Sequence, residues 1–151
     1  MGAGGDGTHV GLTTEELGRL EWDPSYGAYV GTINWCETQT RLILGGAGNA
    51  APEHILRIAV SLFQEQSKWQ LRIGEFAADE LLILKNQNWL DEGEVALSRE
   101  EFLSRMQLIG IRVDEDGTFI FSFDDDDMFW GHNIVIVGNM AAGLRQADLA
   151  G

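Results

Sequence analysis

The sequence predicts an α+β fold in a single domain: N-terminal antiparallel strands, two to three central helices and a C-terminal antiparallel meander. Three observations predict it. Thr40, Leu42 and Leu44 alternate with Arg41 and Ile43, and Phe119, Phe121 and Phe123 alternate with Ile120 and Ser122. That period of two belongs to strands with one buried face. Between these regions Ile55, Ile58, Ala59 and Leu62, and then Trp69, Ile73, Phe76, Ala77, Leu81 and Leu84, recur at helical spacing. Finally, Ser98 and Glu101 form a capping box, with Leu97 and Phe102 at the flanking staple positions. Strands, helices, then strands again describe segregated elements.

Residues 1–12 are Gly-rich and are expected to be flexible, because ordering glycine costs conformational entropy; residues 13–151 form the domain. Thr13 to Leu17 is read as a turn of helix. Strands are expected over Gly18 to Trp22, Ala28 to Trp35 and Thr38 to Leu44, with Pro24 and Gly27 marking the first turn. Pro52 suits a first helical position. One straight helix from there to Asn86 would be about 50 Å long at ~1.5 Å per residue, whereas a domain of this size is about 40 Å across. A break is therefore expected, and the capping pattern Ser67-Lys68-Trp69-Gln70 places it near Ser67. In the meander, Ile109, Ile111 and Val113 lead into the turn Asp114-Glu115-Asp116-Gly117. Asp124 to Asp127 make the next turn. The strand that follows, through Ile134, Val135, Ile136 and Val137, is apolar on both faces, the pattern of a central strand covered on each side. A last short strand is expected around Gln146 to Leu149.

The composition limits the function classes. The 151 residues carry a net charge of −14, and acidic groups exceed basic ones in every third of the chain. Such a field repels phosphate backbones and anionic membranes and favours a basic protein as partner, so neither nucleic acid nor membrane is expected. No apolar run approaches the roughly 18 residues of a membrane span, and the N-terminus has neither the basic start nor the apolar core of a signal peptide. Cytoplasmic localisation is expected. The single cysteine, Cys36, excludes an internal disulfide and a Cys-based zinc cluster. Oligomeric state is open.

Gly2 to Gly7 matches the glycine pattern of a dinucleotide loop without a preceding strand. Gly46-Ala47-Gly48-Asn49-Ala50-Ala51 follows a strand and opens a helix, but helical sequence continues for some 35 residues and no β-α-β unit is expected to close. A strand-to-helix connection of small residues is its reading. The turn Asp124, Asp125, Asp126, Asp127 offers carboxylates of the kind hard cations take. Asp114 to Asp116 lie at the far end of a strand, roughly 20 Å away, and counting from Asp114 the EF-hand glycine position holds Phe119. The acidic turn is read as solvated, its charge discouraging edge pairing. His132 shares a strand face with Trp130, Ile134 and Ile136 by alternation, with Asp127 five residues before it. A His–Asp pair is the candidate catalytic pair if the chain is an enzyme, and a buried, hydrogen-bonded histidine is the structural alternative. Serines lack a nucleophile elbow, and Glu37 beside Cys36 would raise the thiol pKa. Among the five tryptophans, Trp89 and Trp130 join the aspartates as binding candidates, because aromatics beside acids anchor basic partners. No metal site and no cofactor are expected.

The run Asp125-Asp126-Asp127-Met128-Phe129-Trp130-Gly131-His132-Asn133-Ile134-Val135-Ile136-Val137, the close Ala147-Asp148-Leu149-Ala150-Gly151 and the step from Asn88-Trp89 to Ser98-Arg99-Glu100-Glu101-Phe102 together resemble a family of small bacterial proteins catalogued as domain of unknown function 2262. The likeness spans most of Gly18 to Gly151 and implies no established activity. By analogy with other small acidic proteins of such families it suggests an immunity- or inhibitor-like role. The leading functional reading is a non-enzymatic protein-binding module. The alternatives are a metal-dependent hydrolase using His132 and the Asp124 to Asp127 turn, and a small-ligand binder with a pocket lined by Trp130 and the phenylalanine face.

Overall fold

A computed structural model of the chain describes residues 11–45 and 52–151. Among these residues eight strands form one sheet in chain order: β1 (Leu12–Thr14), β2 (Gly18–Asp23), β3 (Ala28–Trp35), β4 (Thr38–Leu44), β5 (Gln107–Val113), β6 (Thr118–Asp124), β7 (Asn133–Asn139) and β8 (Gly143–Ala150). Among the described residues three helices lie between β4 and β5: α1 (Pro52–Gln64), α2 (Gln66–Asn88) and α3 (Arg99–Arg105). Neighbouring strands are antiparallel except β4 and β5, which run parallel because the helical segment carries the chain back to its starting end. The α+β class holds, but the fold is richer in strands than the sequence suggests, and its two strand groups join into a single mixed sheet. The expectation that no β-α-β unit closes is overturned by the β4–β5 pair. The two glycine loops, Gly2 to Gly7 and Gly46 to Ala51, lie outside the described residues.

Alternation fixes which face is buried. Leu42, Leu44, Ile111, Val113, Phe119, Phe121, Phe123, Ile134 and Ile136 all point to one side and are buried there. The helices cover that side with Ile55, Ala59, Leu62, Trp69, Ile73, Ala77 and Phe102. Edge-on aromatic contacts join Trp69 of α2 to Phe119 of the sheet, tying the layers, and Trp35 of β3 to Phe121 of β6 within the sheet, both with centroids 5.2 Å apart. The β3–β4 hairpin turns on two residues, Cys36 (φ 47) and Glu37 (φ 68), the left-handed pair of a type I′ turn, whose twist matches that of the strands.

Three local expectations change. Leu12 to Thr14 is a strand paired with β2, and residues 15–17 turn the chain, so no helical turn forms over Thr13 to Leu17. The helix break falls at Glu65, and no side chain caps α2 there. Gln66 holds the junction instead: its Oε1 accepts from the Cys36 N–H (2.5 Å) and its Nε2 donates to the Phe63 carbonyl (3.0 Å). Finally, β7 is covered on one face only. Ile134 and Ile136 are buried beneath the helices, while Val135 and Val137 are half-exposed on the opposite face, over which no described element packs. The Ser98–Glu101 capping box is present with both of its hydrogen bonds.

Candidate functional site

The link from β6 to β7 is built around one carboxylate. Asp125 is 2% exposed, and its oxygens accept three backbone N–H groups: Asp127 at 3.1 Å, Phe129 at 2.8 Å and Gly131 at 3.1 Å. These bonds fold the chain over itself, and four successive bends put Asp126 (φ 48), Asp127 (φ 62), Trp130 (φ 58) and Gly131 (φ 91) in the left-handed region. A non-glycine residue there is strained and persists only where its surroundings over-determine it. The expectation that all four aspartates are solvated therefore fails at Asp125. Alternation carried it there: after Phe119, Phe121 and Phe123 the next inward position is 125. Asp124, Asp126 and Asp127 are exposed. Asp124 accepts from the Asp126 N–H (3.0 Å), and Asp126 pairs with Arg105 of α3 (2.9 Å).

The same turn presents the aromatic candidates. Trp130 is 55% exposed. Its left-handed backbone removes it from the strand face it was expected to share with Ile134 and Ile136. Trp89, just past α2, is half-buried and touches three rings edge-on, with centroids 5.7 Å from Phe129, 4.6 Å from Trp130 and 5.4 Å from His132. His132 is half-buried rather than mostly buried, and its Nδ1 lies 2.7 Å from the Phe129 carbonyl. A carbonyl can only accept, so Nδ1 carries the hydrogen and donates it. The ring's hydrogen bond thus goes to backbone three residues before it, not to Asp127.

Behind Trp89 sits a feature that sequence reasoning missed. Lys85 is 1% exposed, and its Nζ donates to the Trp89 carbonyl (2.6 Å) and to both oxygens of Glu94 (3.0 and 3.1 Å). Glu94 also accepts the Asp91 N–H (2.8 Å); that bond first, and the Lys85 ammonium second, hold its carboxyl below its ordinary value. Asn86 adds a reciprocal pair with Leu97, donating to its carbonyl (3.0 Å) and accepting its N–H (2.8 Å). The spacing gave a signal for Lys85: Trp69, Ile73, Ala77 and Leu81 step by four residues straight to it.

Among the described residues no three His, Cys, Asp or Glu side chains converge on a point that could hold a metal ion. The phenylalanine face is packed core: Phe119 and Phe121 are fully buried. A cleft of about 210 Å³ reaches Phe123, but Leu71, Gly74, Leu103 and Met106 line it, without Trp130. Burial raises the Cys36 pKa, and Glu37 adds to the rise, so the thiol is blunted as its neighbour predicted. Among the described residues no helix is long and apolar enough to cross a membrane.

What remains is an exposed indole on a hydrogen-bonded turn, in edge-on contact with a second indole and with the Trp130 backbone N–H bonded to the Asp127 carbonyl (3.3 Å), an arrangement suited to recognising cationic groups. No curated protein and no solved structure matches the chain. A family model does, over residues 14–149. The chain therefore belongs to DUF2262, a family of uncharacterised proteins conserved in bacteria.

Proposed function

We propose that the protein is a non-enzymatic binding module for a basic protein, inhibitor- or immunity-like in kind, and that the β6–β7 turn is its contact surface. One observation carries this reading: Trp130, 55% exposed, stands on a turn that buried Asp125 locks in place. Large aromatics that are rigid before binding lose little entropy on contact and dominate interface energies. The surrounding acids supply the attraction for a cationic partner, and an arginine over the indole face would add a cation–π contact. The hydrolase alternative lacks a converged ligand set among the described residues, and His132 spends Nδ1 on backbone.

The test is a pull-down from bacterial lysate with the wild-type chain and a Trp130→Ala variant, each checked for the same melting temperature. A single basic protein retained by the wild type and lost with the variant supports the reading. Recovery of only nucleic acid or phosphorylated metabolites overturns it.

A further inference from the structure

The face of the sheet turned away from the helices is more apolar than a solvated antiparallel face has reason to be. Strand register places Glu21, Val30, Ile43, Arg112, Ile120, Val137 and Gln146 in one row across β2 to β8. A parallel row holds Thr32, Arg41, Gly110, Ser122, Val135 and Asp148. Val30, Ile43, Ile120, Val135 and Val137 are half-exposed, and none belongs to the core or to the side chains packed against it. An antiparallel sheet with one wet face ordinarily carries polar residues there, and a β-branched row across four strands is the pattern of a face that something covers.

We propose that this face is a homodimer interface, in which two copies pack sheet on sheet about a two-fold axis along β5. The self-complementarity of the face singles out a second copy as the occupant. Rotation about β5 lays β4 over the partner's β6 and β3 over its β7. Ile43 then meets the Ile120 region and Val30 the Val137 region. The same rotation carries the half bearing Arg19 and Arg41, whose one acid in these rows, Glu21, is paired with Arg19 at 2.9 Å, over the half bearing Asp148. Arg112, near the axis, is already neutralised by Asp114 at 2.6 Å, so two copies of it tolerate each other. Size also agrees. Seven strands, β2 to β8, spaced about 4.8 Å apart and ~20 Å long offer roughly 670 Å², approaching the ~800 Å² per partner of a stable interface. Aligned packing of twisted sheets supplies the geometry.

Sedimentation equilibrium of the full chain from about 5 to 200 μM tests this. The expected result is a reversible dimer of the 16.7 kDa chain, strengthened as salt rises, because two chains of −14 repel at long range. Ile43→Thr with Val137→Thr keeps β-propensity and should leave circular dichroism unchanged. It should weaken self-association roughly tenfold or more. Arg19→Asp and Asp148→Arg should each weaken it, and together restore it. A single monomeric species up to the highest concentration overturns the proposal. So does a dimer insensitive to these changes but lost when a proline enters β8, which would place the contact on the sheet edge.

Discussion

A buried carboxylate that accepts three backbone N–H groups does two jobs at once. It satisfies donors that would otherwise be orphaned, and it forces Trp130 into a backbone conformation that strands do not offer. Replacing Asp125 by Asn turns one acceptor oxygen into a donor facing other donors. Asp125→Asn should therefore cost roughly 2–3 kcal/mol, which for a domain of this size lowers Tm by about 5–10 °C in a thermal melt. Asp124→Asn and Asp127→Asn, at exposed positions, should each shift stability by no more than ~0.5 kcal/mol. His132→Ala removes the bond to the Phe129 carbonyl and one ring from the Trp89 cluster, at a cost of about 1–2 kcal/mol. At this scale the sequence was half legible. The four aspartates read as one acidic run, although alternation from Phe123 marks only one of them as inward. The left-handed residues could not be located in advance: aspartate tolerates that region better than most side chains, but Trp130 does not, and the hydrogen bonds to Asp125 impose it there.

Elements were legible where local chemistry decides them, and displaced where a tertiary contact does. The strands follow side-chain alternation, and α3 follows its capping box. The start of α2 was misplaced by two residues because Gln66 is bonded to Cys36, thirty residues away, and no local pattern carries that. The loop after α2 is a second such case. Lys85 and Asn86 fasten residues 89–97 to the helix end, so Glu94 is the partner that keeps a buried ammonium tolerable. Glu94→Ala should cost about 3 kcal/mol, in the range for removing one member of a buried pair, and should disturb the fluorescence of Trp89. Acid should act on the same contacts. The Asp91 N–H and then Lys85 hold Glu94 below 4.5. The Ser98 N–H and then its hydroxyl do the same for Glu101. The Ser25 hydroxyl and then its N–H depress Asp23 below 3.8, and the Thr118 N–H leads the depression at Asp116. A carboxyl depressed in the folded state stabilises above its unfolded pKa and stops doing so as pH falls through the folded value. Stability should thus be flat above about pH 5 and fall on acidification below it, and Glu94→Gln should flatten that fall. Denaturant midpoints at successive pH values measure both.

Across the whole molecule, fold and charge divide the work. The helices bury one face of the sheet, the acids spread over the remaining surface, and the β6–β7 turn concentrates them beside an indole. Charge was fully legible in the sequence; the bare sheet face was not, because a strand apolar on both sides reads the same whether the second cover is a helix or another chain. The two surfaces respond oppositely to salt. Self-association through the sheet should tighten as like-charge repulsion is screened, whereas capture of a basic protein should weaken. Electrostatic steering raises association rates roughly 10- to 1,000-fold and is screened beyond about 8 Å at physiological ionic strength. Stopped-flow association with the basic partner should therefore slow steeply between low and physiological salt. Asp124→Asn with Asp127→Asn should slow it further and barely change dissociation, since rim charges act mainly on the encounter. Asp125 must be spared in that variant, because losing it would unlock the turn and confound the rate. Trp130→Ala should do the reverse, leaving association near the wild-type rate and speeding dissociation, because a buried aromatic anchor acts after contact is made. If both variants change the same rate constant, the acids and the indole do not divide recognition in this way.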